Sequence, residues 1–384
     1  MGRATEVPIT PTVLQWAIRE SGCTAEDIAK ALKVSLQTLE GWAKGTQRPS
    51  LTEFRKLASS LKRPEASLLL PEPPQIPPPH VEFRHPQDSA RKTLNAVERR
   101  YLREASRLQR ALSWVLQELR QSHPQLPRLS TQVDPEQAAA TTRSALGVSP
   151  QQQLSWRDSS VGFRIWRSAV EQSGVLVFLL PMGKPASRGF SLWTPEAPII
   201  AINTWWNVEA RSFTLFHEYG HLLTRTASVC SASSRLAFKD GADPIERWCE
   251  RFAAAALLPW PDVESILRKH GLSDRPIEDL DDLRVLARSF KASLRATALR
   301  LIDHRRASWE LYEKIPAWSD DKRKGGGAKE GRHRRRIRED QYGRRTHEVF
   351  LAALENDVLS RTDVLGLLDI TDTDLDHWQQ VGTA

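Results

Sequence analysis

The chain is poor in cysteine and has no long apolar run. Its 384 residues include three cysteines, Cys23, Cys230 and Cys249, with no Cys-x-x-Cys pair. This excludes a disulfide framework and a zinc site built on paired thiolates. No stretch approaches the roughly 18 uninterrupted apolar residues of a membrane span, and the N-terminus lacks a signal-peptide pattern. We therefore expect a cytoplasmic protein that has no membrane partner.

Most of the net positive charge lies in one segment. The formal charge is +8, and the stretch from Trp318 to Arg345 holds 11 Lys or Arg against 5 Asp or Glu. That stretch includes the triplets Gly325–Gly327 and Arg334–Arg336, a composition typical of a solvated flexible linker. Contact with nucleic acid is the alternative for this segment. The charge of the whole chain therefore says little about its folded parts.

The chain is too long for one core, so two or three domains are expected. Residues 71–80 are rich in proline, which lacks the amide donor that a helix needs, and they predict a stiff boundary. Helical apolar spacing dominates on both sides of it, while continuous apolar runs at 175–180 and 198–203 predict strands. The predicted fold class is α+β and predominantly helical.

The motif His217-Glu218-Tyr219-Gly220-His221 predicts a metal site. On a helix, residues four apart project from nearly the same face, so both imidazoles can hold one ion. Glu218 is rotated by about 100° and can reach a water at that ion without being a ligand, as a general base must. Two neutral imidazoles and one carboxylate suit Zn²⁺. We assign His217 and His221 as metal ligands and Glu218 as the catalytic base.

The third ligand is expected from the next predicted helix, where Glu246 and Glu250 share a face. We assign Glu246 to the metal. Glu250 is assigned to a hydrogen bond from a ligand imidazole, which would fix the tautomer of that ring. Asp240 and Asp243, in the loop between the two helices, are weaker candidates for the third ligand.

These residues and several flanking segments resemble the ImmA/IrrE family of metallopeptidases over about residues 81–302. The similar segments are Val81–Arg84, Arg188–Ser191, Ile199–Asn203, Arg211–Leu222, Phe252–Pro259, Leu286–Phe290 and Ser293. The resemblance implies a gluzincin-like fold that uses His217, His221 and Glu246 as ligands and Glu218 as base. It also implies cleavage of a specific partner, typically a helix-turn-helix repressor.

The sequence departs from the family pattern beside the third ligand. Glu250 stands where Asn or Asp is more usual. Cys249 stands where a small residue is usual, and we expect this cysteine to pack in the core. Tyr219 is a candidate for stabilising the oxyanion, although a core role is favoured. The substrate backbone is predicted to pair with the strand at 199–203 by β-augmentation.

Two short helical patterns near the N-terminus predict a helix-turn-helix. Thr24–Leu32 and Leu36–Lys44 are separated by a three-residue break, and Leu39 and Trp42 should face inward. With the flanking segments, residues 8–70 resemble the Xre/lambda-repressor-like family. Lys33 replaces the usual turn glycine, so it is expected to adopt a positive φ.

The exposed side of the second helix offers candidate DNA contacts. Those predicted to meet base edges are Ser35, Gln37, Thr38 and Glu40, and those predicted to lie near phosphates are Lys44 and Arg48. The carboxylate of Glu40 is repelled by the DNA backbone, and the surrounding residues are close to charge-balanced. A protein-docking module is therefore the alternative.

Together these features predict a helix-turn-helix domain at 8–70, a linker at 71–80 and a zinc peptidase domain at 81–312. A basic linker at 318–340 and a small helical region at 341–384 follow. The predicted function is a zinc endopeptidase that cleaves a partner repressor, or a toxin encoded nearby, in transcriptional regulation. The alternative is a DNA-binding, antitoxin-like regulator of a toxin–antitoxin or mobile-element locus, in which the peptidase domain mainly binds a partner.

Overall fold

The computed structural model describes residues 5–21, 23–61, 63–74, 94–122, 124–226, 228–230, 243–321 and 340–382. The chain divides into two compact units, one containing the described residues up to 74 and residues 94–104, the other containing the described residues from 105 onward. Helices dominate and the described strands form one four-stranded sheet, which confirms the predicted α+β class. Among the described residues, no helix has both the length and the apolar character needed to cross a bilayer.

The first unit is a cluster of short helices around an apolar core. Its elements are α1 (Pro11–Ser21), α2 (Ala25–Leu32), α3 (Leu36–Lys44), α4 (Leu51–Leu61) and a 3₁₀ turn (Glu65–Leu69). Thr24 and Ser35 cap α2 and α3 by accepting hydrogen bonds from backbone amides of the first turn. Leu39 and Trp42 are buried, as predicted.

The turn between α2 and α3 is made by a residue in the left-handed region. Lys33 has φ 59° and ψ 40°, and its N–H reaches the carbonyls of Ala29 and Lys30 to end α2. The positive φ expected at this position is thereby confirmed. A non-glycine residue is tolerated here because the left-handed conformation costs about 1–2 kcal/mol, which the packing of the helix pair offsets.

Helix α5 (Ala96–Glu118) begins in the first unit and continues into the second. The following elements of the second unit are α6 (Pro135–Ala145), α7 (Pro150–Ser155), α8 (Ser159–Gln172), β1 (Leu176–Leu180), β2 (Gly189–Leu192), β3 (Ile199–Asn203), α9 (Val208–Thr224) and β4 (Ser228–Cys230). The helices after them are α10 (Pro244–Leu257), α11 (Trp260–Lys269), α12 (Leu280–Phe290), α13 (Leu294–Asp303), α14 (Trp309–Lys314), α15 (Arg344–Glu355), α16 (Arg361–Leu368) and α17 (Asp372–Gly382). These last three helices give the predicted helical C-terminal region.

The sheet has the order β1-β3-β2-β4. Strand β3 is parallel to β1, with Leu176 opposite Ile199, and antiparallel to β2. The strands predicted at 175–180 and 198–203 are present, whereas β2 and β4 were not predicted. The predicted pairing of a substrate with β3 is wrong, because β1 and β2 already occupy both of its hydrogen-bonding edges.

The C-terminal helices return to the sheet through a buried ion pair on α8. Arg167 contacts the Glu171 carboxylate at 3.0 Å and donates hydrogen bonds to the carbonyls of Val177 on β1 and Asp340. Gly343 lies against this pair with φ 80°. The turn that begins α15 therefore depends on a residue without a side chain.

We expect Gly343→Ala to release the C-terminal helices. A Cβ at this position would overlap the Glu171 carboxylate and lie 2.6 Å from Arg167 Nη2, and the positive φ adds strain. The combined cost should be about 2–4 kcal/mol. Hydrogen exchange of residues 340–382, followed by mass spectrometry, would measure the loss of protection.

The matched control is Gly366→Ala on α16, where a Cβ would meet nothing within 4 Å. Alanine should stabilise that helix by up to about 1 kcal/mol. Equal protection in both variants would contradict the role given to Gly343.

Candidate metal centre

Helix α9 carries the two histidines one turn apart in the interior of the second unit. It begins at the Asn207 cap, whose side chain accepts a hydrogen bond from Ala210 N–H, and ends where Arg225 turns into the left-handed region. His217 and His221 are both buried, and their Nε2 atoms are 3.1 Å apart. The two imidazoles therefore converge on one point, as the spacing predicted.

Glu246 completes the cluster from the first turn of α10. Its Oε2 lies 3.3 Å from His217 Nε2, and its Oε1 lies 3.4 Å from His221 Nε2. Among the residues that the structure describes, these three side chains form the group of ligand atoms that could hold a metal ion.

The spacing of this group fits zinc. Nitrogen and oxygen ligands about 2.1 Å from one tetrahedral ion lie roughly 3.4 Å from each other. The three separations of 3.1, 3.3 and 3.4 Å are close to that value. The donor set of two imidazoles and one carboxylate also leaves a fourth position for water or substrate.

A glycine between the histidines allows α9 and α10 to approach each other. A Cβ at Gly220 would lie 3.1 Å from Cys249 Sγ and 3.3 Å from Phe252 Cδ1. Cys249 is fully buried and packs at this contact, as expected. A side chain at position 220 would require Cys249 or Phe252 to shift, and both lie on the helix that carries Glu246, which is one turn before Cys249.

A second glycine lets strand β2 lie directly on α9. A Cβ at Gly189 would come within 2.6 Å of Thr214 Cγ2 and within 3.4 Å of Glu218 Cγ. Glu218 is fully buried and is absent from the group that could hold a metal. Its position, beside the ligands but separate from them, is compatible with the base role predicted for it.

The electrostatics of the cluster favour a positive charge at its centre. Burial opposes a charged imidazole at His217, but the hydrogen bond and charge of Glu246, with Glu250 and Glu218, raise its pKa to about 9. Burial alone would raise the pKa of Glu246, yet His221 and His217 lower it. In the metal-free protein, a proton on His217 thus supplies part of the positive charge that a bound divalent ion would bring.

Glu250 lies beside the cluster without a direct hydrogen bond to it. Its Oε1 is 4.0 Å from His217 Nδ1, beyond hydrogen-bond range. Burial, reinforced by the charge of Glu246, raises the pKa of Glu250 to about 7, against the opposing charges of His217 and Arg188. The hydrogen bond predicted from a ligand imidazole to this residue is not formed at this distance.

The contact of Thr226 with His221 was not predicted from the sequence. Its Oγ1 lies 2.9 Å from His221 Nδ1, the ring nitrogen that faces away from Glu246. The contact depends on the left-handed turn at Arg225, which brings the chain back over the end of α9. A threonine five residues beyond a histidine carries no sequence signal for such a contact.

Two of the weaker candidates, Asp243 and Tyr219, occupy other positions. Asp243 caps α10 by accepting a hydrogen bond from Ile245 N–H, and it does not belong to the metal group. Asp240 lies outside the described residues. Tyr219 is buried, stacks on Phe252 and shares a hydrogen bond with a serine side chain, which agrees with the favoured core role.

The residues proposed to contact DNA lie on α3 or close to its two ends. Five of them are exposed and Thr38 is half-buried; the exposed ones are Ser35, Gln37, Glu40, Lys44 and Arg48. Ser35 and Thr38 are engaged in capping the helix. Glu40 and Lys44 form an exposed ion pair at 3.1 Å, which offsets the negative charge of Glu40 on this face.

Two segments of the chain match known families. Residues 14–68 match a family model described as helix-turn-helix, and residues 170–301 match a peptidase family described as IrrE N-terminal-like domain. The chain thus contains a helix-turn-helix domain followed by an IrrE-like domain, in the order predicted. The second match spans α9, α10 and all three residues of the metal group. No curated protein matches the chain.

We expect zinc binding at pH 8 to release close to one proton from His217. Its pKa of about 9 in the metal-free protein keeps the imidazole charged at this pH, and a ligand imidazole must be neutral. The His217 share of this release should fall toward zero above about pH 10, where only a zinc-bound water would still lose a proton. Calorimetric titration in buffers of different ionisation enthalpy measures it, and the exposed His270, substituted as His270→Gln, is the control.

The raised pKa of His217 also makes the stability of the metal-free protein depend on pH. Because the folded-state pKa of His217 is raised above about 6.5, its contribution to stability is complete below that pH and is lost as the pH rises through about 9. An absence of proton release at pH 8 would contradict the raised pKa.

Proposed function

Because the chain joins a helix-turn-helix domain to an IrrE-like domain, we propose that it is a zinc-dependent endopeptidase that acts on a protein of transcriptional regulation. The observation that carries the proposal is the convergence of His217, His221 and Glu246, at separations that suit one tetrahedral ion. A bound zinc ion would polarise a peptide carbonyl and lower the pKa of a water.

The protein side chains would then position the reactants and move one proton. Glu218 is held beside the ligands by the close packing of α9 on Gly189. Its carboxylate would take the proton from the attacking water and return it to the leaving amine. The assigned ligands are His217, His221 and Glu246.

The proposed substrate is a partner repressor, or a toxin encoded nearby, and the helix-turn-helix domain would hold the enzyme close to it. If that domain binds DNA near the DNA site of the partner, the effective concentration of the enzyme around the partner rises. Specificity could then come from location as well as from the cleaved sequence.

One observation favours a second candidate function. Glu218 and His221 are fully buried, and within the metal group only Glu246 is partly exposed, so little of the described site faces solvent. A DNA-binding, antitoxin-like regulator whose IrrE-like domain mainly binds a partner would be compatible with such limited exposure. The two candidates differ in whether Glu218 is needed.

We expect Glu218→Gln to keep zinc and to lose cleavage. The substitution preserves the size of the side chain but removes the base, which is worth about 10²–10⁴ in rate. Glu246→Gln should lose zinc as well, because the carboxylate ligand becomes a neutral amide. Metal content would be measured by mass spectrometry, and cleavage by co-expression with the products of neighbouring genes.

The control is Glu209→Gln, a carboxylate on the same helix that is not part of the metal group. Absence of zinc from the wild type would overturn the enzyme. Retention of every phenotype in Glu218→Gln would favour the partner-binding function.

For the N-terminal domain we expect Gln37→Ala to weaken binding to the promoter of the chain's own gene by roughly 5- to 150-fold and to leave non-specific binding unchanged. Arg48→Ala should weaken binding to all sequences and reduce the salt dependence by about one phosphate contact. The control is Arg55→Ala on α4, whose guanidinium pairs with Glu65 at 3.8 Å.

A mobility-shift titration at several salt concentrations measures both effects. No shift at low salt would indicate that the domain docks a protein instead of DNA.

A further inference from the structure

A chain of three polar side chains closes the end of the metal helix. His221 Nδ1 lies 2.9 Å from Thr226 Oγ1, which lies 2.8 Å from Thr224 Oγ1. Thr224 in turn donates to the carbonyl of Gly220 at 3.1 Å and to that of His221 at 3.2 Å. This series of hydrogen bonds thus begins at a ligand imidazole and ends at backbone carbonyls.

The carbonyl end fixes the direction of every hydrogen bond. A carbonyl can only accept, so the one proton of the Thr224 hydroxyl points at the backbone. The oxygen of Thr224 is then an acceptor for Thr226, and the proton of Thr226 is used in that bond. The oxygen of Thr226 must therefore accept from His221, which places the ring proton on Nδ1.

We infer that Thr226 is a positioning residue that holds His221 as the Nδ1–H tautomer, with Thr224 fixing the direction. This tautomer leaves the lone pair of Nε2 facing Glu246 and His217, at the point where the ion would bind. The inference deepens the proposed zinc site and rests on it.

The backbone around Thr226 is held in place by its neighbour. Arg225 has φ 57°, its guanidinium lies 3.6 Å from the centre of the Trp193 ring, and it donates to the Leu126 carbonyl at 2.6 Å. The Thr226 N–H also donates to the His221 carbonyl at 2.9 Å. The hydroxyl is therefore presented to the imidazole by a rigid turn.

The two ligand histidines are supported differently. Nδ1 of His217 faces the carboxylate of Glu250 at 4.0 Å, whereas Nδ1 of His221 meets a neutral hydroxyl at 2.9 Å. The carboxylate of Glu250 acts on His217 through its charge, whereas the hydroxyl of Thr226 acts on His221 through a hydrogen bond. Thr226 is therefore the contact that can select a ring tautomer.

The experiment compares zinc affinity of the full chain by competition with a chromophoric chelator. Thr226→Val should bind zinc about 10- to 100-fold more weakly, because Nδ1–H loses its acceptor and the ring can adopt the other tautomer. Thr226→Ser keeps the hydroxyl and should bind like the wild type. Thr224→Val should reduce zinc affinity less, because the Thr226 hydroxyl loses only the acceptor that fixes the direction of its proton.

The matched control is Thr214→Val on the same helix. That hydroxyl is also buried, and it donates to the carbonyl four residues before it, far along α9 from Thr226. Thr214→Val should bind zinc like the wild type. A loss of affinity in this control would show that a local distortion of α9, and not the loss of the acceptor at His221, weakens zinc binding.

A second measurement does not depend on Thr226→Val folding. In the metal-free wild type labelled with ¹⁵N-histidine, the nitrogen shifts of His221 should show the proton on Nδ1, and Thr224→Val should weaken that preference. A proton on Nε2 would overturn the inference, as would wild-type zinc affinity in Thr226→Val. If the wild type binds no zinc, the proposed function falls together with this inference; if only the variants fail to differ, the proposed zinc site stands.

Discussion

The close approach of α9 and α10 at Gly220 is the contact on which the metal site depends. Glu246 reaches the two imidazoles from a helix that packs against a position without a side chain. The other face of α9 lies on β2 through Gly189. Two glycines thus let one buried helix be approached from both sides, and α10 brings the third ligand to the two histidines and the base that α9 carries.

The parts of this arrangement that follow from local periodicity could be predicted from the sequence. Residues four apart on a helix share a face whatever surrounds them, which is why His217 and His221 converge. The apolar runs that became β1 and β3 are long enough to indicate buried strands. The positive φ of Lys33 followed from the geometry of the turn.

The remainder depends on contacts between distant segments. Strand β2 has four residues and begins with a glycine, so its sequence predicts little, yet its insertion beside β3 closes the edge proposed for substrate. The 4.0 Å between Glu250 and His217 reflects how α10 is rotated, which the spacing of two glutamates does not determine. Thr226 meets His221 only because Arg225 reverses the chain.

The ion pair of Arg167 and Glu171 also lies at an edge of the sheet. At the end of the described sheet, the outer edge of β1 would present unpaired carbonyls, and such an edge is a template on which strands of other molecules can add. The guanidinium of Arg167 occupies the carbonyl of Val177 and ties it to the returning C-terminal segment. A buried guanidinium from α8 therefore blocks one of the carbonyls through which another strand could add to this edge.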